Sequence, residues 1–286
     1  MGISSSAVLV ELNVSVWGAS KVDRDATDDV NVRNNATADA AKVYKNLTAG
    51  TSLRKEISDY AAKIRQFHNR QTLPWTHKGA RLLPTSHVLE YKQHMNVMEH
   101  HFKSLLSKFY NDYPNIVMQA QTHLQSMFNP YDYPTIEEVK EKFGYKLVFS
   151  PLPEAGDFRL DVASEELAEL SRSYEADFQQ RLDRAMREPW KRLHEELTHL
   201  SEKLTDAKDG SDETKKRYHD SLVTNAQALC GLLTKLNITN DPKLEQARRE
   251  LELTMLGVDI DGIKESPEVR HSVKSRVDAI LDKFEW

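Results

Sequence analysis

A single long apolar stripe constrains the fold of this chain more than any other feature of its sequence. Across residues 164–206, apolar side chains recur every three or four residues, which is the period of one face of an α-helix. They are Leu167, Leu170, Tyr174, Phe178, Leu182, Met186, Trp190, Leu193, Leu197, Leu200 and Leu204. Pro189 lies inside the stripe and predicts a kink there. The helix must cover this face, so the stripe predicts packing against other helices or against a second copy.

Shorter amphipathic patterns predict the helices that could cover it. They fall at residues 52–70, 86–112, 114–128, 134–144, 213–236, 242–256 and 267–284, with a less regular candidate at 37–47. The helix at 134–144 opens with a capping box of Thr135 and Glu138. The helices that begin at Pro242 and Pro267 each follow a capping residue, Asp241 or Ser266.

Strand patterns are fewer and lie in the first 161 residues. Residues 7–17 alternate between apolar and mixed positions, which predicts a β-strand. Residues 145–149 and 157–161 are its best pairing candidates, because a lone strand is not stable. The segment TLPWTHKGARLLP, residues 72–84, is interpreted as an ordered connector between helices, held to the core by Leu73, Trp75, Leu82 and Leu83.

These patterns predict a mainly α fold in the form of an elongated, coiled-coil-like helical bundle. A small antiparallel or mixed β-sheet would be built from the N-terminal strand and residues 145–161. We expect a helical region with the sheet at 1–162, and the long helix with a C-terminal bundle at 163–286, unless both form one continuous domain. Only ten glycines and ten prolines occur in 286 residues, which favours long regular elements.

The charge and cysteine content narrow the functional classes. The formal net charge is −5, whereas a general nucleic-acid coat is usually basic. The one cysteine, Cys230, has apolar neighbours and is expected to be a buried hydrophobic residue in a reducing cytoplasm. No run of 18 apolar residues occurs, so no membrane span is expected.

Sequence motifs for catalysis are missing. The chain has no phosphate-binding glycine loop and no nucleophile elbow. His194 and His199 are five residues apart, so they lie on different sides of a helix and would not share a zinc ion easily. His87, His94 and His101, spaced by seven, would form a polar helix face or, alternatively, a pH-sensitive or partner-facing stripe. We therefore predict no enzyme, and no catalytic, cofactor-binding or metal-binding residues.

Basic clusters are the best candidates for partner contact, although each has acidic neighbours and could be a solvated helix face. The predicted partner-binding residues are His77, Lys78, Arg81, Lys191, Arg192, Lys215, Lys216 and Arg217. The first three form the tip of the connector at 72–84. Aromatic residues are also concentrated in FNPYDYP, residues 128–134, where they are expected to pack a helix junction.

Four segments together resemble a known family. They are ELNVSVWGASKVD, TLPWTHKGARLLP, FSPLPEAGDFRLD and REPWKRL, within residues 7–240. The family occurs in bacteriophages, prophages and plasmids and is known only as a domain of unknown function, number thirty-one fifty. Its genes often lie beside those of a MoxR-type AAA+ ATPase and a von Willebrand A-like protein. The resemblance implies an accessory or adaptor role beside such an ATPase, and it brings no catalytic residues.

We therefore expect a non-enzymatic adaptor, phage-encoded and cytoplasmic, that acts through protein–protein interaction. The alternative is a single-stranded nucleic-acid-binding cofactor of phage replication or transcription, which the acidic net charge does not favour. No cofactor and no membrane contact are expected. Homo-oligomerisation through the long apolar stripe is left open.

Overall fold

A computed structural model describes residues 3–76, 79–153, 164–205, 218–284 and 286. The fold is mainly helical, at 68%, with a small four-stranded antiparallel sheet, as the sequence predicts. Helices α1–α10 cover Ile3–Ser6, Arg24–Arg33, Leu53–Gln71, Val88–Leu124, Ile136–Glu141, Ser164–Leu204, Ser221–Leu236, Pro242–Met255, Ile260–Glu265 and Pro267–Lys283. Strands β1–β6 cover Ala7–Ser15, Ser20–Asp23, Val43–Asn46, Leu73–Pro74, Arg81–Pro84 and Gly144–Pro151.

Both long helices run through a proline. Helix α6 is continuous across Pro189, as its unbroken apolar stripe indicates. Helix α4 is continuous across Pro114, so the two helices predicted at 86–112 and 114–128 are one. An interior proline costs roughly 3 kcal/mol in a helix. In α4, buried side chains before and after the proline, Phe109 and Ile116 among them, keep the helix face covered on both sides.

The capping chemistry read from the sequence is present at three helix starts. Thr135 and Glu138 form both hydrogen bonds of the predicted capping box at α5. The Asp241 carboxylate accepts from the first backbone N–H groups of α8, and the Ser266 hydroxyl does so at α10. Each cap is a local interaction, which is why these boundaries could be read without the tertiary structure.

The connector at 72–84 supplies strands β4 and β5, which the sequence did not predict. The sheet order is β4-β5-β1-β6. Strand β5 pairs antiparallel with β1, Ala7 opposite Pro84 and Val10 opposite Arg81. Two-residue and four-residue strands are too short to show alternation, so the pattern was hidden. The core anchors were predicted correctly, because Leu73, Trp75, Leu82 and Leu83 are all buried. The strand predicted at 157–161 lies outside the described residues.

The helix predicted at 37–47 is wrong. Residues 43–46 form β3, which pairs antiparallel with β2, and the helix of this region, α2, comes earlier, at Arg24–Arg33. Asp23 caps α2 by accepting from the Ala26 N–H at 3.0 Å, and the Thr27 hydroxyl accepts from the Val43 N–H at 3.0 Å. The Asp23 cap starts the helix at Arg24. The hydrogen bond from Val43 to Thr27 holds the start of β3 beside that helix.

The chain divides into two compact units that are interleaved along the sequence. The first unit contains Met1–Glu11, Arg70–Leu89 and Phe149–Trp286. The second contains Leu12–Asn69 and Glu90–Val148. The short N-terminal segments of the first unit are grouped with its C-terminal helices. The division of the chain at residues 162 and 163 stays a prediction.

In the first unit, α6 packs against α7, α8 and α10. Its side chains Leu193, Leu197 and Leu200 are fully buried in the resulting core. Leu182 and Ala185, further toward the start of α6, pack in a second cluster with Leu73 and Trp75 of the sheet region. The second half of the apolar stripe is therefore covered within the chain.

In the second unit, α3 and α4 pack through aromatic and histidine rings. Tyr60 lies 4.4 Å from His101, and Phe67 lies 5.5 Å from His94, between ring centroids. The residues on both helices are spaced by seven, which is about two turns, so every second turn brings the same kinds of ring together. His94 and His101 are exposed, in keeping with a polar face, yet each packs against a ring of α3. His87, in the first unit, is instead buried.

Candidate partner-binding cleft

One face of α6 carries a mixed aromatic and basic set in the first unit. Arg187, Trp190, Lys191 and His194 occupy positions i, i+3, i+4 and i+7 of the helix, so they lie on adjacent turns of the same face. The neighbouring Leu193 is fully buried in the core. The helix is thus held by its apolar stripe, which includes the half-buried Trp190, while Arg187 and Lys191 at the border of the stripe are exposed to solvent.

Aromatic rings pack around Trp190. The Trp190 ring lies 5.8 Å from Phe284 and 5.6 Å from Trp286, between centroids. The His194 ring lies 5.0 Å from the Trp286 ring, between centroids. Edge-to-face and tilted pairs of this kind are each worth about 0.5–1.5 kcal/mol beyond area burial. Phe284, just after α10, and Trp286 are therefore held against α6 by ring contacts.

Hydrogen bonds fix the two indole rings. The Trp190 Nε1–H donates to Asp241 Oδ2 at 3.0 Å, and the Trp286 Nε1–H donates to the Leu281 carbonyl at 2.8 Å. Both polar edges are thereby satisfied within the chain. Trp286 remains 41% exposed, which leaves an oriented aromatic surface available to a ligand.

These side chains enclose a cavity of about 480 Å³, which we call the tryptophan cleft. Its lining is Arg187, Trp190, Lys191, His194 and Trp286. A second cavity of about 530 Å³ shares Trp190 and is lined by Asp241, Lys243, Gln246, Lys283 and Phe284. Both volumes lie in the range of cavities that hold small molecules or single side chains of a partner.

The tryptophan cleft is electropositive. Arg187 makes no hydrogen bond or ion pair with any described residue. Lys191 lies 3.7 Å from Glu195, and both side chains are about two-thirds exposed, so this pair contributes little. Two cations are therefore available to an anionic group beside a fixed aromatic surface.

Two of the predicted partner-binding residues instead hold the chain together at Thr72. Arg192 donates to the Arg70 carbonyl at 2.6 Å and to the Thr72 carbonyl at 3.0 Å. Arg81 donates to the Thr72 hydroxyl at 2.6 Å and to its carbonyl at 3.1 Å. We call this set the Thr72 strut. It satisfies carbonyl groups that the end of α3 leaves without helical partners, so these arginines are not offered to a partner.

The other predicted partner-binding residues divide between the cleft and the undescribed segments. Lys191 lies in the tryptophan cleft. His77, Lys78, Lys215, Lys216 and Arg217 lie outside the described residues. Within FNPYDYP, the Phe128 and Tyr133 rings pack 5.2 Å apart, consistent with a packed junction.

Sequence reasoning missed the aromatic half of the cleft. Trp190 was assigned to the apolar stripe and His194 to a failed zinc motif, although Arg187, Trp190, Lys191 and His194 already share one helical face. That spacing was a usable signal. Trp286 carried none, because its place beside Trp190 depends on how α10 packs against α6.

Among the described residues, no three His, Cys, Asp or Glu side chains are placed to hold a metal ion. Burial raises the pKa of the Cys230 thiol to about 11, which disfavours the reactive thiolate. Burial also raises the pKa of Glu196, opposed by the nearby His199 and Arg70. Ser201 and Lys274 both bind the Asp278 carboxylate, which joins α6 to α10.

Comparisons with known proteins leave the site to be interpreted from its own chemistry. No protein-family model fits the chain, and no curated protein or solved structure matches it. No helix in the described residues combines the length and apolar character needed to cross a bilayer.

Proposed function

We propose that this protein is a non-enzymatic adaptor that binds a protein partner through the tryptophan cleft. The partner would insert a short acidic segment with an apolar side chain beside the acid. The observation that carries this proposal is the pairing of an oriented, exposed Trp286 ring with two available cations, Arg187 and Lys191. Tryptophan and arginine are the residues most enriched at energetic centres of protein interfaces.

The chemistry of the cleft favours an acidic partner segment. A carboxylate at Arg187 would form charge-assisted hydrogen bonds in the two-pronged geometry that guanidinium groups favour. The apolar side chain would cover the face of Trp286, whose N–H is already satisfied by Leu281. Because the ring is fixed before binding, little side-chain entropy is lost on association.

The family resemblance supplies a candidate partner, the MoxR-type AAA+ ATPase encoded beside members of that family. In this proposal the protein works with the ATPase in the cytoplasm of a phage-infected host. The test is co-purification of the two proteins with and without nucleotide, using the parent chain and Arg187→Ala/Trp286→Ala. Capture by the parent and loss in the double variant would support the proposal. No association under either condition would remove this ATPase as the partner.

Single-stranded nucleic acid is the second candidate ligand. One specific observation favours it, namely that an exposed indole and two cations could stack a base and hold a phosphate. The net charge of −5 weighs against it, since phosphate neutralisation supplies most non-specific affinity. Titration with a short oligothymidine, monitored by tryptophan fluorescence at low and moderate salt, distinguishes the nucleic-acid ligand from the protein partner. Salt-sensitive quenching that disappears in Trp286→Phe would favour the nucleic acid.

A further inference from the structure

The second unit contains a cavity that the proposed adaptor role does not use. It has a volume of about 890 Å³ and lies between β2, β3 and the start of α3. Its described lining includes three basic residues, Lys45, Arg54 and Lys55, and no acidic residue. We propose that this cavity binds a phosphorylated small molecule of the nucleoside phosphate class.

Lys45 forms the wall of the cavity and is not its phosphate ligand. Its ammonium group lies 2.7 Å from an Asp132 oxygen and 3.3 Å from an Asp23 oxygen, and donates to the Met127 carbonyl at 2.8 Å. Three acceptors use the three N–H groups of the side chain. Lys21 adds a further bond to Asp132. Two lysines and two aspartates therefore cancel each other's charge, and they hold β2 and β3 to the loop around residue 132.

Arg54 and Lys55 provide the available positive charge. Arg54 donates its Nε–H to the Trp17 carbonyl at 3.1 Å, which fixes the side chain and leaves both terminal nitrogens without a partner among the described residues. Lys55 lies 2.9 Å from Asp59, but both side chains are more than half exposed. Such a pair is weak, so Lys55 can exchange it for a phosphate. An anchored guanidinium beside a movable ammonium suits a phosphate group.

Neutral donors and an aromatic ring complete the lining. The Asn46 side-chain oxygen accepts from the Thr48 N–H and hydroxyl, so its NH₂ group is left to donate elsewhere. The Ser20 hydroxyl makes no bond with a described residue. Tyr44 is 61% exposed and offers a ring face for a base at the rim. Phosphate and base would thus meet different parts of one cavity.

The test is isothermal titration of the full chain with ATP, with pyrophosphate and with adenosine. We expect ATP and pyrophosphate to bind with affinity that falls as salt rises, and adenosine not to bind measurably. Arg54→Ala should weaken ATP binding about tenfold or more, because a charge-assisted contact is lost. The matched control is Arg33→Ala, which removes an exposed arginine of the same unit. No binding of ATP or pyrophosphate at millimolar concentration would overturn the proposal.

Further variants keep the test decisive. If Arg54→Ala lowers the melting temperature, Lys55→Ala replaces it, with exposed Lys63→Ala as the control on the same helix. Lys55→Ala should weaken ATP binding severalfold, and equal affinity in Lys55→Ala and Lys63→Ala would count against the site. Tyr44→Ala should weaken ATP binding but leave pyrophosphate binding unchanged. Equal losses of affinity for the two ligands would remove the base from the proposal. Arg187→Ala/Trp286→Ala should bind ATP normally, so this inference can fail or hold independently of the adaptor role.

Discussion

The Thr72 strut and the tryptophan cleft both use basic residues of α6 in the first unit, but they use them in opposite ways. Arg192 in the strut is 14% exposed in its side chain and donates to two backbone carbonyls and to Glu188. Lys191, its neighbour in sequence, is 66% exposed and has only a distant carboxylate. Adjacent cations on one helix can therefore be structural or available, depending on the acceptors that the fold brings to them.

The same contrast recurs on α8. Arg248 is 8% exposed and binds both oxygens of Glu245 and one oxygen of Glu252, each at 2.9 Å. Arg249 beside it is 69% exposed and shares one Glu245 oxygen. Basic runs in a sequence are thus poor guides to ligand binding until the burial of each member is known.

The largest effect on stability is expected at the Thr72 strut. Arg192→Ala should lower the free energy of unfolding by about 3 kcal/mol, because carbonyl groups at the end of α3 lose charged donors. Lys191→Ala should change it by less than about 0.5 kcal/mol. Urea unfolding of both variants measures the difference. Equal midpoints would mean that water replaces Arg192 without cost and that the contrast is unfounded.

A smaller effect of the same kind is expected on α8. Arg248→Ala should lower the free energy of unfolding by about 2 kcal/mol. This is less than the loss expected when a fully buried ion pair is broken, because Glu245 and Glu252 can be partly rehydrated. Arg249→Ala should cost less than about 0.5 kcal/mol. Thermal melts of the two variants, at the same ionic strength, provide the comparison. A larger loss of stability in Arg249→Ala than in Arg248→Ala would mean that Arg249, and not Arg248, is the structural arginine.

Acid pH should weaken the α8 cluster. Hydrogen bonds from Arg248, with a smaller contribution from Arg249, lower the pKa of Glu245 to about 2, against the opposing effect of burial. A lowered folded-state pKa adds stability above the unfolded value, near 4.5, and that stability is lost as pH falls toward 2. Glu245→Gln should therefore be about 1 kcal/mol less stable than the parent at pH 7. The two should converge near pH 2, as measured by urea unfolding across pH; a constant gap would contradict the shift.

The smallest effect on stability is expected in the cleft. Arg187→Ala should leave the free energy of unfolding within about 0.5 kcal/mol of the parent, because the side chain has no partner among the described residues. Partner affinity should nevertheless fall about tenfold, since a charge-assisted contact is lost. Unfolding and binding must be measured on the same preparation. A variant that unfolds more easily would place Arg187 with the strut arginines.

Much of the helical architecture could be read from the sequence, and little of the sheet could. The apolar stripe of α6 and the caps at Thr135, Asp241 and Ser266 depend on residues within a few positions of each other. Strand β3 was taken for a helix because its pairing with β2, across α2, is not visible locally. The continuity of α4 across Pro114 likewise depends on packing that outweighs the cost of a proline.

For the candidate site, the sequence alone determined which side chains share a helical face, including Arg187, Trp190, Lys191 and His194. Only the tertiary structure decided which of the cations are neutralised. Arg192 meets a carbonyl 122 residues away in the sequence, and Trp286 reaches Trp190 through the packing of α10. Helical period is a property of the local backbone, whereas burial and hydrogen-bond partners arise when distant segments meet. The availability of a charge to a ligand is therefore decided by the fold.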